Sequence, residues 1–143
     1  MIHGAFADLC VADVAVSVEF YRRLLEVDVV TDQGWYVELG ADGRVLLALV
    51  DAAHETVPAL AGRPPRGLLV SFETDDAARV AAAARTMGCP FVVEPVHELG
   101  QHHFMVVDPD GAVVDVIERV PFTADDRRRL ARYRRRHRLG PSP

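Results

Sequence analysis

The sequence predicts an α+β fold: two βαβββ modules whose curved mixed sheets form a cleft, plus a C-terminal helix. An internal duplication is the first observation behind this. Two amphipathic segments, each opened by an aspartate, begin 63 residues apart at Asp13 and Asp76, and the same offset maps Val29-Val30 onto Val92-Val93. Two glycine turns are the second. There the offset has grown to 68, Asp42-Gly43 mapping onto Asp110-Gly111, and an apolar, β-branched strand follows each turn, Val45 to Val50 and Val113 to Ile117. Matched features in one order mark a repeat whose unit is strand, helix, strand, strand, strand.

The elements follow in order. A strand over about 4–11 leads to Asp13, whose carboxylate suits a helix N-cap. The helix carries Val18, Tyr21, Leu24 and Leu25 on one face. Strands over about 27–32, 35–40 and 44–50 complete the first module, with Gly43 supplying a positive φ at the last turn. Residues 51–66, with Pro58, Gly62, Pro64 and Pro65, read as a linker. The second module repeats the plan: a strand over 67–74, then a helix from Asp76 through Val80, Ala84 and Met87, stopped by Gly88 in a C-cap position. Strands over 91–96, 102–107 and 112–118 follow. Thr123 caps a last helix, Ala124 to about His137, with Asp125 and Asp126 at its positive end. The domain organisation is therefore 1–122, with modules of about 4–50 and 67–118, and an Arg-rich tail over 123–143.

Composition excludes several classes. At 143 residues, half of them apolar, the chain suits one compact domain. It has no apolar run of membrane-spanning length, and Met1-Ile2-His3-Gly4 does not begin a signal peptide, so a cytoplasmic protein is expected. Cys10 and Cys89 are too few for a disulfide framework and are expected to be reduced. All 16 basic residues are arginine. Residues 1–122 hold 8 Arg against 19 acids, a net −11, and residues 123–143 hold 8 Arg against 2 acids, a net +6. An acidic body does not fit a nucleic-acid-binding domain. The tail reads as a solvated helix docked on that body.

Each sheet buries one face on its helix, and the free faces of two modules, in one chain or across a dimer, make a shared cavity of the kind that holds small ligands. Alternation along the strands places Phe6, Asp8 and Cys10 on the free face, then Val45, Leu47 and Leu49, Leu69, Ser71 and Glu73, and Val113, Asp115 and Ile117. His102 and His103 must point to opposite faces. His103 goes with Met105 and Val107 on the free side, where its imidazole can exchange hydrogen bonds near neutral pH. The other histidines, His3, His54, His97 and His137, fall in loops or termini. Trp35-Tyr36 offers an aromatic wall. No nucleophile elbow, phosphate loop or Cys-His pair is present.

The stretch Val11-Ala12-Asp13 with Ser17, Phe20 and Tyr21, the run Asp108-Pro109-Asp110-Gly111 with Asp115, and Gly100-Gln101-His102-His103-Phe104 resemble the glyoxalase, bleomycin-resistance and extradiol dioxygenase superfamily, the vicinal oxygen chelate proteins. The resemblance covers residues 4–118. It implies the paired-module fold and a homodimer. It also implies metal-ligand positions at Phe6, Leu47, Leu69 and Asp115, of which three are apolar. One carboxylate cannot hold a divalent ion that needs several N or O donors, so no metal and no cofactor are expected. The reading is a metal-independent small-molecule-binding protein that sequesters an aromatic or apolar natural product, as in antibiotic self-resistance. Its expected lining is Phe6, Asp8, Trp35, Leu47, Leu69, His103, Met105 and Asp115. The alternative is a metal-independent lyase or isomerase, or a dioxygenase-like enzyme of the same fold. His103 or Asp115 is then the candidate acid-base group. A third reading is a scaffolding subunit recognised through its tail.

Overall fold

The computed structural model describes residues 1–62 and 67–137, so Pro64 and Pro65 of the linker lie outside the described residues. The order is β1 (Ala7–Val11), α1 (Val14–Leu25), β2 (Asp28–Asp32), β3 (Tyr36–Ala41) and β4 (Arg44–Asp51), then β5 (Leu69–Glu73), α2 (Ala77–Thr86), β6 (Phe91–His97), β7 (Gln101–Val107) and β8 (Val113–Arg119), and finally α3 (Ala124–His137). The strands form two open four-stranded sheets, β1-β4-β3-β2 and β5-β8-β7-β6. In each, the first strand in sequence runs parallel to the last, β1 to β4 and β5 to β8, and the other pairs are antiparallel. No helix among the described residues is long and apolar enough to cross a membrane.

The capping residues act as their chemistry requires. The Asp13 carboxylate accepts from the Val16 amide at 3.1 Å and the Asp76 carboxylate from the Arg79 amide at 2.9 Å. Gly88, at φ +71°, takes the left-handed position that ends α2.

One core serves both modules. Leu9, Val11, Val37, Leu39, Leu47 and Leu49 of the first sheet join Val70, Phe104, Val106, Val114 and Val116 of the second. Tyr21 and Leu24 of α1 and Val80, Ala81 and Ala84 of α2 lie in the same cluster. A four-stranded sheet with one helix has too little apolar area to stand alone, and merging the two helix-covered faces supplies it.

The seam between the modules is polar and specific. The Asp110 carboxylate accepts from the Ala12 amide at 2.9 Å and from the Ser17 hydroxyl at 3.3 Å. Asp108 is buried; one oxygen accepts from the Tyr21 hydroxyl at 2.8 Å, the other from the amides of Asp110 and Ala112 at 3.0 and 2.7 Å. Burial, and then the Asp108 charge, push the Tyr21 phenol far above its ordinary range, so it stays a donor.

The pairing corrects one expectation from alternation. Leu47 and Leu49 do not lie on the free face: they sit in the shared core, 1% and 0% exposed. Register gives the reason. Leu39 pairs Leu47 but Gly40 pairs Val45, so Leu46 is an extra residue in β4, a β-bulge. No such shift interrupts β7 and β8. The turn-based offset is therefore one too large inside the strand. Asp8 pairs Ala48 as Ser71 pairs Asp115, which makes Ala48, not Leu47, the counterpart of Asp115. Gly40 is required at the bulge, since a Cβ there would stand 2.0 Å from the Arg44 carbonyl oxygen.

A buried carboxylate anchors the start of the tail. Asp126, 2% exposed, accepts from His97 Nε2, the Thr123 amide and the Thr123 hydroxyl, each at 2.8 Å, and from the Leu99 amide at 3.1 Å. The Asp126 amide in turn donates to the Thr123 hydroxyl at 3.1 Å, a reciprocal cap of the Ser/Thr-x-x-Glu kind with Asp in the acidic place. The His97 hydrogen bond above all, with those from Thr123, holds the Asp126 carboxyl well below the usual carboxylate range. A depressed folded pKa contributes stability that is present above the unfolded value and lost as pH falls toward the folded one. Docking of α3 is therefore expected to persist from neutral pH down to about 4, an ordinary carboxylate value, and to fade only below it. Hydrogen exchange of the α3 amides during an acid titration measures this. Asp126→Ala should leave α3 exchanging fast at every pH, whereas slow exchange in that variant would show that the tail is held elsewhere.

Candidate functional site

Each sheet keeps one face away from the shared core. On the first, Asp8, Cys10, Tyr36 and Glu38 share that face, set by the pairings of Asp8 and Glu38 with Ala48 and of Cys10 and Tyr36 with Val50. The Tyr36 hydroxyl donates to Glu38 at 3.3 Å. Burial and the charges of Asp8 and Glu38 raise the Tyr36 phenol, and burial with Asp8 raises the Cys10 thiol. Cys10 is thus a protonated thiol in an acidic setting, the opposite of what an activated nucleophile needs. Phe6, just before β1, is 48% exposed.

On the second sheet, Leu69, Ser71 and Glu73 of β5 lie beside Val113, Asp115 and Ile117 of β8, and these beside Met105 and His103 of β7. Leu69 is 52% exposed. Glu73 is paired at the rim with the Arg119 guanidinium, whose Nε lies 2.8 Å away. The centre is polar and buried. His103 Nδ1 lies 3.1 Å from Asp115 Oδ1, with the two residues 9% and 6% exposed. Asp115 pairs Met105, two positions from His103, so the contact is a diagonal cross-strand pair. A carboxylate only accepts, so Nδ1 carries the proton and Nε2 is the free end of the ring. Nε2 stands 3.9 Å from Glu98, beyond hydrogen-bonding distance. Glu98 is held in turn by Arg129 of α3 at 2.5 Å.

The expected lining residues fall into four groups. His103, Met105, Asp115 and Leu69 share one face of the second sheet, and Asp8 lies on the corresponding face of the first, with Phe6 at its edge. Leu47 is in the core. Trp35 precedes β3 and stacks on His54 of the linker, ring centroids 3.7 Å apart and planes at 5°; it is Tyr36 that shares the face of Asp8. Glu98 and Arg129 were not legible in the sequence. One sits in the turn after β6 and the other in the tail, and no periodicity links them to His103.

The metal-ligand positions implied by the resemblance hold Phe6, Ala48 (in place of Leu47), Leu69 and Asp115. Among the described residues no group of three or more His, Cys, Asp or Glu stands close enough to hold an ion. This donor set does not fit the divalent ion of metal-dependent members.

Two βαβββ units, each with a helix-covered and a free sheet face, define a paired-module class of small α+β proteins. The sequence matches the Glyoxalase/Bleomycin resistance protein/Dioxygenase superfamily over residues 4–116, and the chain belongs to that family. Solved structures agree on the fold. TnmS3, an antibiotic binding protein from Streptomyces sp. CB03234, superposes with a TM-score of 0.68 at 23% identity, covering 83% of this chain and 97% of its own. TioX from Micromonospora sp. ML1 gives 0.69 at 14% identity, covering 80% and 97%. The virulence protein STM3117 from Salmonella typhimurium gives 0.67 at 23%, covering 84% and 98%. No curated protein matches the sequence.

Proposed function

We propose that this chain is a metal-independent, cytoplasmic binding protein that holds an aromatic or apolar small molecule between the free faces of two modules, across a two-fold dimer. One observation carries the reading: the helix-covered faces of both sheets are used up in a single core, so the free faces of one chain are not turned onto each other. Closing a cleft over Phe6 and Leu69 then takes the first module of a second copy against the second module of this one. A symmetric pair does this twice, and two-fold dimers are the commonest oligomer. The proposed lining sets the apolar Phe6, Leu69, Met105, Val113 and Ile117 around a polar centre of His103 and Asp115, a mix that suits a small-molecule site. The description of TnmS3 as antibiotic binding supports sequestration, hence self-resistance, as the role.

Light scattering on the purified protein at micromolar concentration tests the assembly, and twice the chain mass is expected. Elemental analysis of the same sample should find no stoichiometric Zn, Mn, Ni or Fe. Titration with a panel of aromatic natural products should find binders. A monomer, or about one metal per chain, counts against the proposal. The His103–Asp115 pair favours a second reading, a metal-independent lyase or isomerase in which His103 is the general base. Turnover of a bound compound, abolished in His103→Gln, would establish it.

A further inference from the structure

We propose that His103 is the recognition point of that cleft and that its ligand is a planar aromatic carrying a neutral hydroxyl, a phenol or an enol, which donates to Nε2. The inference rests on the cleft reading above and names the ligand chemistry of the same site. It starts from the ring itself. His103 is nine-tenths buried, and Asp115 takes the proton of Nδ1. In the neutral ring that bond fixes the tautomer and leaves the lone pair on Nε2. Nε2 makes no hydrogen bond, yet no buried side-chain nitrogen or oxygen among the described residues is sealed off without a partner. Nε2 is therefore not sealed off: it is an oriented acceptor on a strand where Met105 is two residues away and Val96 and Ile117 flank it across the neighbouring strands.

The neighbours decide which donor fits. Glu98 stands 3.9 Å from Nε2, pinned by Arg129, and Asp115 lies behind the ring. Around the acceptor the two carboxylates outnumber the one guanidinium, so a ligand carboxylate or phenolate is disfavoured. A neutral hydroxyl keeps its proton for Nε2 and brings no charge. An ether of the same shape has no proton to give and leaves the acceptor unpaired in a desolvated place, which costs binding. Discrimination by a missing hydrogen bond is sharper than discrimination by a missing methylene.

The test uses naphthol, its methyl ether and naphthoate, titrated into the full-length protein in slightly alkaline buffer where naphthol is un-ionised. Naphthol should bind about tenfold tighter than either analogue. His103→Gln should remove that preference while leaving the weak binding of the ether. In Asp115→Asn the amide no longer imposes the tautomer, and the preference for naphthol over naphthoate should shrink. If a variant does not fold, the three wild-type affinities decide alone. Equal binding of naphthol and its ether overturns the inference and leaves the cleft standing. Naphthoate binding as tightly as naphthol overturns it too. Failure of all three to bind overturns the cleft reading with it.

Discussion

Asp108→Ala is expected to destabilise the protein by about 3–5 kcal/mol. Three donors converge on this one buried carboxylate: the Tyr21 hydroxyl from α1 and the amides of Asp110 and Ala112 from its own turn. Hydrogen bonds to a charged group contribute about 1.5–3 kcal/mol each and are not additive. Removing the acceptor also strands a phenol that is wholly buried in the shared core. Tyr21→Phe should cost less, about 1.5–3 kcal/mol, because Asp108 then keeps both amides. Urea titration of the two single variants and the double variant gives the coupling. The two losses should be strongly non-additive, since both remove the same bond. A loss below about 1 kcal/mol in Asp108→Ala would show that neither the turn nor the seam depends on this carboxylate.

That seam explains what was legible in the sequence. The repeat was readable because each module obeys local rules: Asp13 and Asp76 cap their helices, Gly88 ends one, Asp42-Gly43 turns a hairpin. The family-like motifs were readable too, and the structure shows why they mark the fold more than an activity. Ser17 and Tyr21 from one motif bond Asp110 and Asp108 from the other, so the two stretches hold the modules together. The misplacement of Leu47 came from a single bulged residue, Leu46, which changes nothing in the hydrophobic pattern yet reverses a face. The core contribution of Leu47 and Leu49 is as apolar as a ligand wall would be, so composition alone could not tell them apart. His103 and Asp115 were placed on one face by alternation, but their mutual bond is a diagonal contact that periodicity does not fix. Glu98, Arg129 and the Asp126 anchor depend on how the tail folds back, and a run of arginines around Leu130 and Tyr133 carries no address for where it docks.

The largest effect on assembly is expected from Leu69→Asp. Leu69 opens the edge strand β5 and is 52% exposed in the single chain. For a monomer the substitution is a surface change, within about 0.5 kcal/mol. If the free face of this module is covered by a second copy, the new carboxylate loses its water without a partner, at a cost of several kcal/mol. Two-fold symmetry applies that cost twice per dimer. The dimer dissociation constant should then rise by at least about 100-fold, since each 1.4 kcal/mol is a factor of ten. On the proposed reading, in which this face also lines the cleft, aromatic ligands should be lost in parallel. Leu60→Asp is the matched control. Leu60 is 95% exposed in the linker, where a carboxylate stays in water, and that variant should keep the wild-type mass and affinity. Light scattering across a dilution series, with thermal melting of both variants, separates the outcomes. A Leu69→Asp protein that stays dimeric with unchanged affinity would place the interface elsewhere and remove this face from the cleft. A variant that is monomeric yet melts within a few degrees of the control would tie assembly and binding to the face of the second sheet that the shared core leaves uncovered.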